Sequence, residues 1–327
     1  MQKKCKEVCH LPDHLLHTAR KCKRWAIQNS EWWTPFLEPV YWASFLKTKN
    51  TLAELRHSKV GLKNVLDEET DGINKTIWML WFQGWQEAPW LVKRAAQSWM
   101  IHNPGWDIKF LSFENITDYV RDEKLNRSDI TLQAKSDIIR LNLLQKYGGV
   151  WADATLLCMQ PLDNWIGKLI IPSGFWMHHG NGTGMSILEG PCSWFMVSRK
   201  DSVISRKWKE ACNQFWDGIK IGTNINYFWM DELFKELLLR DPEFGSYWNR
   251  VPYVSCELYG GSHCLKYHRN FVGNSRLLKT TFLKRPPFVI KLWWRRWNDS
   301  FRNLTESECI KSNAFFAIQC AVKEVSL

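Results

Sequence analysis

The spacing of apolar positions changes several times along this chain, and each change marks an element. Thr76-Ile77-Trp78-Met79-Leu80-Trp81-Phe82 is an unbroken, β-prone apolar run of buried-strand length. Pro89 then stands where a first helical turn begins, and the helical spacing runs to about Ile101 before Asn103-Pro104-Gly105 ends it. Trp106 to Ser112 reads as a second strand. From about Thr131 to Tyr147 the pattern predicts the strongest helix, with Leu132, Ile138, Ile139, Leu141, Leu143 and Leu144 as its apolar faces. Gly148-Gly149 stops it where a left-handed residue is needed. A strand over Val150 to Leu157 follows at once. Further on the sequence predicts a Gly-rich loop over 174–190 and a strand near Trp194 to Val197. Two helices, near Val203–Gly218 and Tyr227–Leu239, and a last strand over Phe288 to Leu292 complete the reading.

Strands alternating with helices predict an α/β fold whose largely parallel sheet is covered by helices on both faces. Residues 1–66 lack strand alternation and read as helical, interrupted by Pro35 and Pro39. The acidic turn Asp67-Glu68-Glu69-Thr70-Asp71-Gly72 marks a boundary. The expected organisation is therefore a helical N-terminal extension over 1–70 and a catalytic-sized domain over 71–327.

Composition changes this picture in a few places. The 21 tryptophans are far above ordinary usage, so most must lie in the core while the remainder are available to stack on flat or sugar-like ligands. A net charge of +11 favours an anionic partner: a nucleotide sugar, an acidic glycan, nucleic acid or an anionic membrane face. No recognised nucleic-acid motif is present, so no nucleic-acid partner is expected. A basic, Trp-rich stretch (Lys284, Arg285, Lys291, then Trp293 to Trp297) suits either peripheral contact with a membrane surface or a clamp on a diphosphate. The 10 cysteines are scattered without a CxxC pair, which signals neither a zinc site nor a disulfide scaffold. No apolar stretch is long enough to span a bilayer, and the first residues lack a signal-peptide core. A cytoplasmic location is expected on that ground. Sequons at Asn74, Asn115, Asn126, Asn181, Asn298 and Asn303 keep a Golgi or ER lumen as the alternative.

The candidate chemistry gathers around one strand. Asp153 interrupts an otherwise apolar run, and a buried carboxylate there needs a divalent cation or a basic partner. Asp137 and Arg140, spaced i, i+3, share one face of the helix that feeds into that strand. Two acidic positions and an arginine then converge on one cleft, at the carboxyl end of the strand where open α/β sheets bind ligands.

Ser136-Asp137-Ile138-Ile139-Arg140, a helix, and then Gly148-Gly149-Val150-Trp151-Ala152-Asp153 resemble the donor site of GT-A glycosyltransferases of the mannosyltransferase and clostridial-toxin type. The likeness is closer to the capsular polysaccharide synthesis glycosyltransferase family, through Ile77 to Gly84, Pro89, Trp99, Asn103-Pro104 and Pro161-Leu162. Weaker likenesses are Tyr227 to Asp231 and Val289 to Leu292. The resemblance implies a GT-A, Rossmann-type fold and transfer of a hexose-type sugar from a nucleotide-sugar donor to a glycan, lipid-linked or protein acceptor, with retention. It implies that Asp137 and Arg140 hold the donor sugar or ribose. Trp78, Trp81, Gln83 and Gly84 would lie where the nucleotide base binds, although core packing explains the two indoles equally well. Asp153 stands at the first carboxylate of the DxD motif, as a ligand of ribose and of Mn2+ or Mg2+. Thr155 replaces the second carboxylate, so the metal pair would be Asp153 and Thr155, with Asp231 or Glu232 available to complete it. The same replacement allows a non-catalytic, ligand-binding fold. His178-His179 in the Gly-rich loop could meet an acceptor, though an exposed pair is the commoner outcome.

Overall fold

The computed structural model describes residues 73–180, 191–223, 225–254, 256, 262–265, 271–292 and 305–322. The N-terminal extension over 1–70 and the Trp293–Trp297 stretch lie outside them. Strands β1 (Thr76–Leu80), β2 (Asp107–Leu111), β3 (Gly149–Ala152), β5 (Phe175–His179) and β6 (Pro191–Ser198) form one sheet in the order β2-β1-β3-β6-β5. A second sheet has the order β4-β8-β7, from β4 (Leu156–Cys158), β7 (Ser262–Leu265) and β8 (Val289–Leu292).

The larger sheet is mixed, which corrects the expectation of a largely parallel one. β1 runs parallel to both β2 and β3, with Ile77 opposite Ile108 and Val150. β6 runs antiparallel to β3 and to β5. The reason lies in the connections. A helix separates β1 from β2 and another precedes β3, giving the long crossovers that parallel neighbours need. Only eleven residues separate β5 from β6, fewer than a parallel crossover needs, so the two pair antiparallel. The Gly-rich stretch thus holds a strand, β5, that composition concealed.

Helices lie against these sheets: α1 (Trp90–His102), α2 (Leu132–Tyr147), the short α3 (Ile166–Ile170), α4 (Val203–Gly218), α5 (Trp229–Arg240) and α6 (Pro242–Trp248). Two more, α7 (Arg276–Lys284) and α8 (Asn313–Ala321), cover the smaller sheet. Helix α2 positions the site. Thr131 caps it by accepting from the Ala134 N–H at 3.3 Å, and Gly148 ends it at φ 71°. Its Ile138, Ile139, Leu141, Leu143 and Leu144 enter the main core. Gly149 follows at φ 93°, where a Cβ would stand 2.5 Å from the Thr76 carbonyl oxygen. Only glycine permits both the left-handed angle and that approach of β3 to β1.

The run from Val150 to Leu157 is not one strand. The Asp153 N–H still donates to the Trp194 carbonyl at 3.0 Å, the last rung toward β6. Leu156 N–H then donates back to the Asp153 carbonyl at 2.9 Å, closing a turn. The chain leaves the first sheet there and joins the second as β4. Asp153-Ala154-Thr155 therefore occupies a corner between two sheets, where a carboxylate can reach a cleft. Most of the described tryptophans are core, and several of their indole N–H groups bond to backbone carbonyls, as Trp99 does with Leu156 at 2.7 Å, while those of Trp165, Trp216 and Trp229 are buried without a partner. Among the described residues no helix is long and apolar enough to cross a membrane.

Candidate active site at the corner between the sheets

Asp153 lies at the carboxyl end of β3, 23% exposed. The Trp151 indole N–H donates to its Oδ1 at 2.9 Å, and Arg140 Nη2 lies 3.5 Å from the same oxygen. Lys291 Nζ donates to Oδ2 at 2.6 Å and to the Thr155 hydroxyl at 3.0 Å. Strand pairing fixes this reach: Lys291 faces Leu156 across the antiparallel β4–β8 ladder. Burial alone would raise the Asp153 carboxyl, but Lys291 and Arg140 outweigh it and hold the group below the usual carboxylate range.

Arg140 connects this corner to a second acidic group. Its Nη1 donates to the Ser193 carbonyl at 2.8 Å, and Nε and Nη2 bond to the Ser136 carbonyl and hydroxyl at 3.4 and 3.2 Å. Nη2 also lies 3.2 Å from Asp137 Oδ1, and the guanidinium stands 5.0 Å above the Trp151 ring. Asp137, Arg140 and Asp153 thus converge, as their spacing predicted. Asp231, in the first turn of α5, joins them. Burial and then the neighbouring Asp137 charge push its carboxyl up to about 7, against the weaker pull of Lys235 and Arg140. Glu232, the other acidic candidate, instead accepts from the exposed Asn226 amide at 2.7 Å. A cleft of about 320 Å3 is lined by Thr131, Gln133, Trp216, Asn226, Tyr227 and Trp229 among others, and none of Asp137, Arg140, Asp153 and Asp231 lines it.

The four residues expected at the nucleotide base separate. Trp78 is 2% exposed, donates to the Gly148 carbonyl at 2.9 Å and packs on Tyr119 and Tyr147. It is a core residue with no open ring face. Trp81 is half-buried and packs with Ala154, Ala88 and Val92, directly beside the Asp153 corner. Gln83 is exposed and Gly84, at φ 91°, closes a turn back to the Trp81 carbonyl. His178 and His179 are not an exposed loop pair. Both are buried on β5, His178 stacked on Trp194 and pushed down to about 3 by burial, His179 against Trp248 and Tyr253. The sequence pointed to Lys291 only as part of a basic stretch. A lysine inside Val289-Ile290-Lys291-Leu292 was the available signal, since a strand buried on both faces admits one only with a partner.

These side chains do not offer a divalent cation a pair of ligands at Asp153 and Thr155. Both Asp153 oxygens already accept from cations or an indole, and the Thr155 hydroxyl accepts from the same ammonium. No group of three or more His, Cys, Asp or Glu suited to a metal occurs among the described residues.

The chain belongs to the capsular polysaccharide synthesis protein family, whose model matches residues 38–295. It is 28% identical over 171 residues to glycosyltransferase afumC of Aspergillus fumigatus, covering 46% of this chain and 42% of that one. It is 26% identical over 191 residues to O-glycosyltransferase braB of Annulohypoxylon truncatum, covering 52% and 43%. The match therefore spans less than half the length of either relative. Among solved structures it is similar to the PaToxG glycosyltransferase, at 14% identity and a TM-score of 0.37, over 86% of this chain and 96% of that one.

Proposed function

We propose that this chain is a glycosyltransferase that moves a hexose-type sugar from a nucleotide-sugar donor to a hydroxyl of a glycan, lipid-linked or protein acceptor. The observation that carries the reading is the convergence of Asp137, Arg140 and Asp153 at a strand's carboxyl end in a chain of this family. In such a transfer the bond from the anomeric carbon to the diphosphate breaks, the acceptor oxygen bonds to that carbon, and the acceptor proton is released. Negative charge grows on the leaving diphosphate, and fixed cations beside it stabilise that charge. Asp153 holds those cations in place, Asp137 is placed to accept from donor hydroxyls, and Trp81 offers its half-open indole to the base. The cleft between the start of α2 and the start of α5 has the polar and aromatic lining an acceptor sugar would use. Retention is the stereochemistry we expect, on the resemblance to mannosyltransferase and toxin enzymes.

The test is slow hydrolysis of a panel of UDP- and GDP-sugars by wild type and Asp153→Ala. Hydrolysis of one donor, lost in the variant, is the expected result. A variant as active as wild type would remove Asp153 from the site. Nucleotide binding without turnover of any donor, even with glycan acceptors added, would make the chain a ligand-binding protein instead.

A further inference from the structure

We infer that the Lys291 ammonium is the resident cation of this site, taking the donor's diphosphate in place of a divalent metal ion. The inference rests on the nucleotide-sugar reading and adds to it how the charge is met. A divalent cation shared by Asp153 and Thr155 would lie about 2.1 to 2.5 Å from each oxygen. The ammonium already lies 2.6 Å from the Asp153 carboxylate and 3.0 Å from the Thr155 hydroxyl, between the two side chains that would bind the ion. A metal entering there would meet Lys291 at contact distance and Arg140 just behind it, 3.5 Å from the same carboxylate.

Lys291 has little room to withdraw. Its side chain is 11% exposed, and its backbone is locked into the β4–β8 and β7–β8 ladders. The replacement of a second carboxylate by Thr155 follows the same logic. A neutral hydroxyl accepts well from an ammonium, whereas a second carboxylate beside Asp153 would add charge only a stronger cation balances. The ammonium carries three N–H groups, and two are used by Asp153 and Thr155. The third has no partner among the described residues and remains for a phosphate oxygen. Arg140 serves the ligand less freely, because Nε and Nη2 are committed to Ser136, Asp137 and Asp153 and Nη1 already donates to the Ser193 carbonyl. Asp153 then acts as an anchor that orients the ammonium toward the ligand.

Calorimetric titration of UDP and GDP into the full chain, in EDTA and again with Mn2+, tests this. One nucleotide should bind in EDTA, with Mn2+ changing its Kd by less than about threefold. Lys291→Met should weaken that binding at least about tenfold, the loss expected for a charge-assisted hydrogen bond, with a melting curve confirming the fold. Lys291→Arg, which keeps the charge, should retain more affinity than Lys291→Met, and decides the matter if the methionine variant does not fold. Titration of Mn2+ alone, followed by its paramagnetic resonance, should show no stoichiometric site in wild type and a new one in Thr155→Asp/Lys291→Met. Binding of nucleotide only with Mn2+, or a wild-type Mn2+ site that Asp153→Asn abolishes, would overturn the inference and leave the nucleotide reading standing. No nucleotide binding in either buffer would overturn the nucleotide reading itself.

Discussion

At the corner after β3, Asp153 is met by two cations and an indole N–H, and its carboxyl is held below the usual range. At the start of α5, Asp231 is half-buried near another carboxylate, Asp137, and its carboxyl is pushed up to about 7. One arginine, Arg140, reaches both regions. The two carboxylates are chemically identical, so their environments alone separate them. Pairs driven apart in this way take different tasks: one stays ionised as a fixed charge, and the other titrates where a proton can be exchanged near neutral pH. Asp153 suits the first task and Asp231 the second.

Removing Arg140 should break the comparison, because both sides lose their shared cation. Arg140→Ala would leave the Ser193 carbonyl without its donor and Asp137 and Asp153 without the charge between them. A loss of about 3 kcal/mol in denaturant unfolding is expected, the low end for breaking a buried pair. Arg140→Lys should recover less than half, since one ammonium cannot hold Ser193, Ser136 and two carboxylates at once. A variant as stable as wild type would mean that the guanidinium serves only ligands.

Asp231→Asn should act through pH. The folded carboxyl titrates at about 7 against an ordinary 3.8, so between those values the folded chain keeps a proton that the unfolded chain has lost. The stabilisation is full below about pH 4 and disappears as pH rises through 7. Wild type should therefore lose on the order of 2 kcal/mol over that interval beyond what other groups contribute, allowing for partial exposure. The asparagine variant should lack that slope, and stability measured across pH checks it. An unchanged slope would place Asp231 in contact with water and end its candidacy for proton transfer.

How much of this the sequence held depends on whether the deciding forces were local. The span of α2 and its glycine stop were legible because helical periodicity and the glycine signal act within a few residues. Val203–Gly218 was legible for the same reason. The convergence of Asp137, Arg140 and Asp153 followed from the short path between helix and strand. The direction of β6 was not legible, since antiparallel pairing with β3 is decided by a partner some forty residues away in the chain. The corner at Asp153 was hidden because Leu156 and Leu157 continue the apolar run after the strand has ended. The Asp153–Lys291 pair joins residues in strands that meet only in the second sheet, so the sequence could show that each charge needed a partner but not that they were each other's. Trp78 and Trp81, three residues apart, have equal β propensity, and only the packing of Tyr119 and Tyr147 over the first separates core from rim.

The smallest effect should come from Trp81, and it sharpens the comparison because this side chain touches one region alone. Its ring packs on Ala154, within the corner, and is remote in the chain from α5. Stacking of a base on a half-open indole is worth about 1 kcal/mol, so Trp81→Ala should weaken nucleotide binding about fivefold. Loss of the partly buried ring should lower stability by no more than about 1 to 2 kcal/mol, since the cavity opens to solvent. The pH slope assigned to Asp231 should be unchanged in the same variant. Measuring Kd and the pH dependence of unfolding together separates the outcomes. Unchanged affinity would place the base elsewhere, and an altered slope would mean that the Asp153 corner and the Asp231 region respond as one site rather than two.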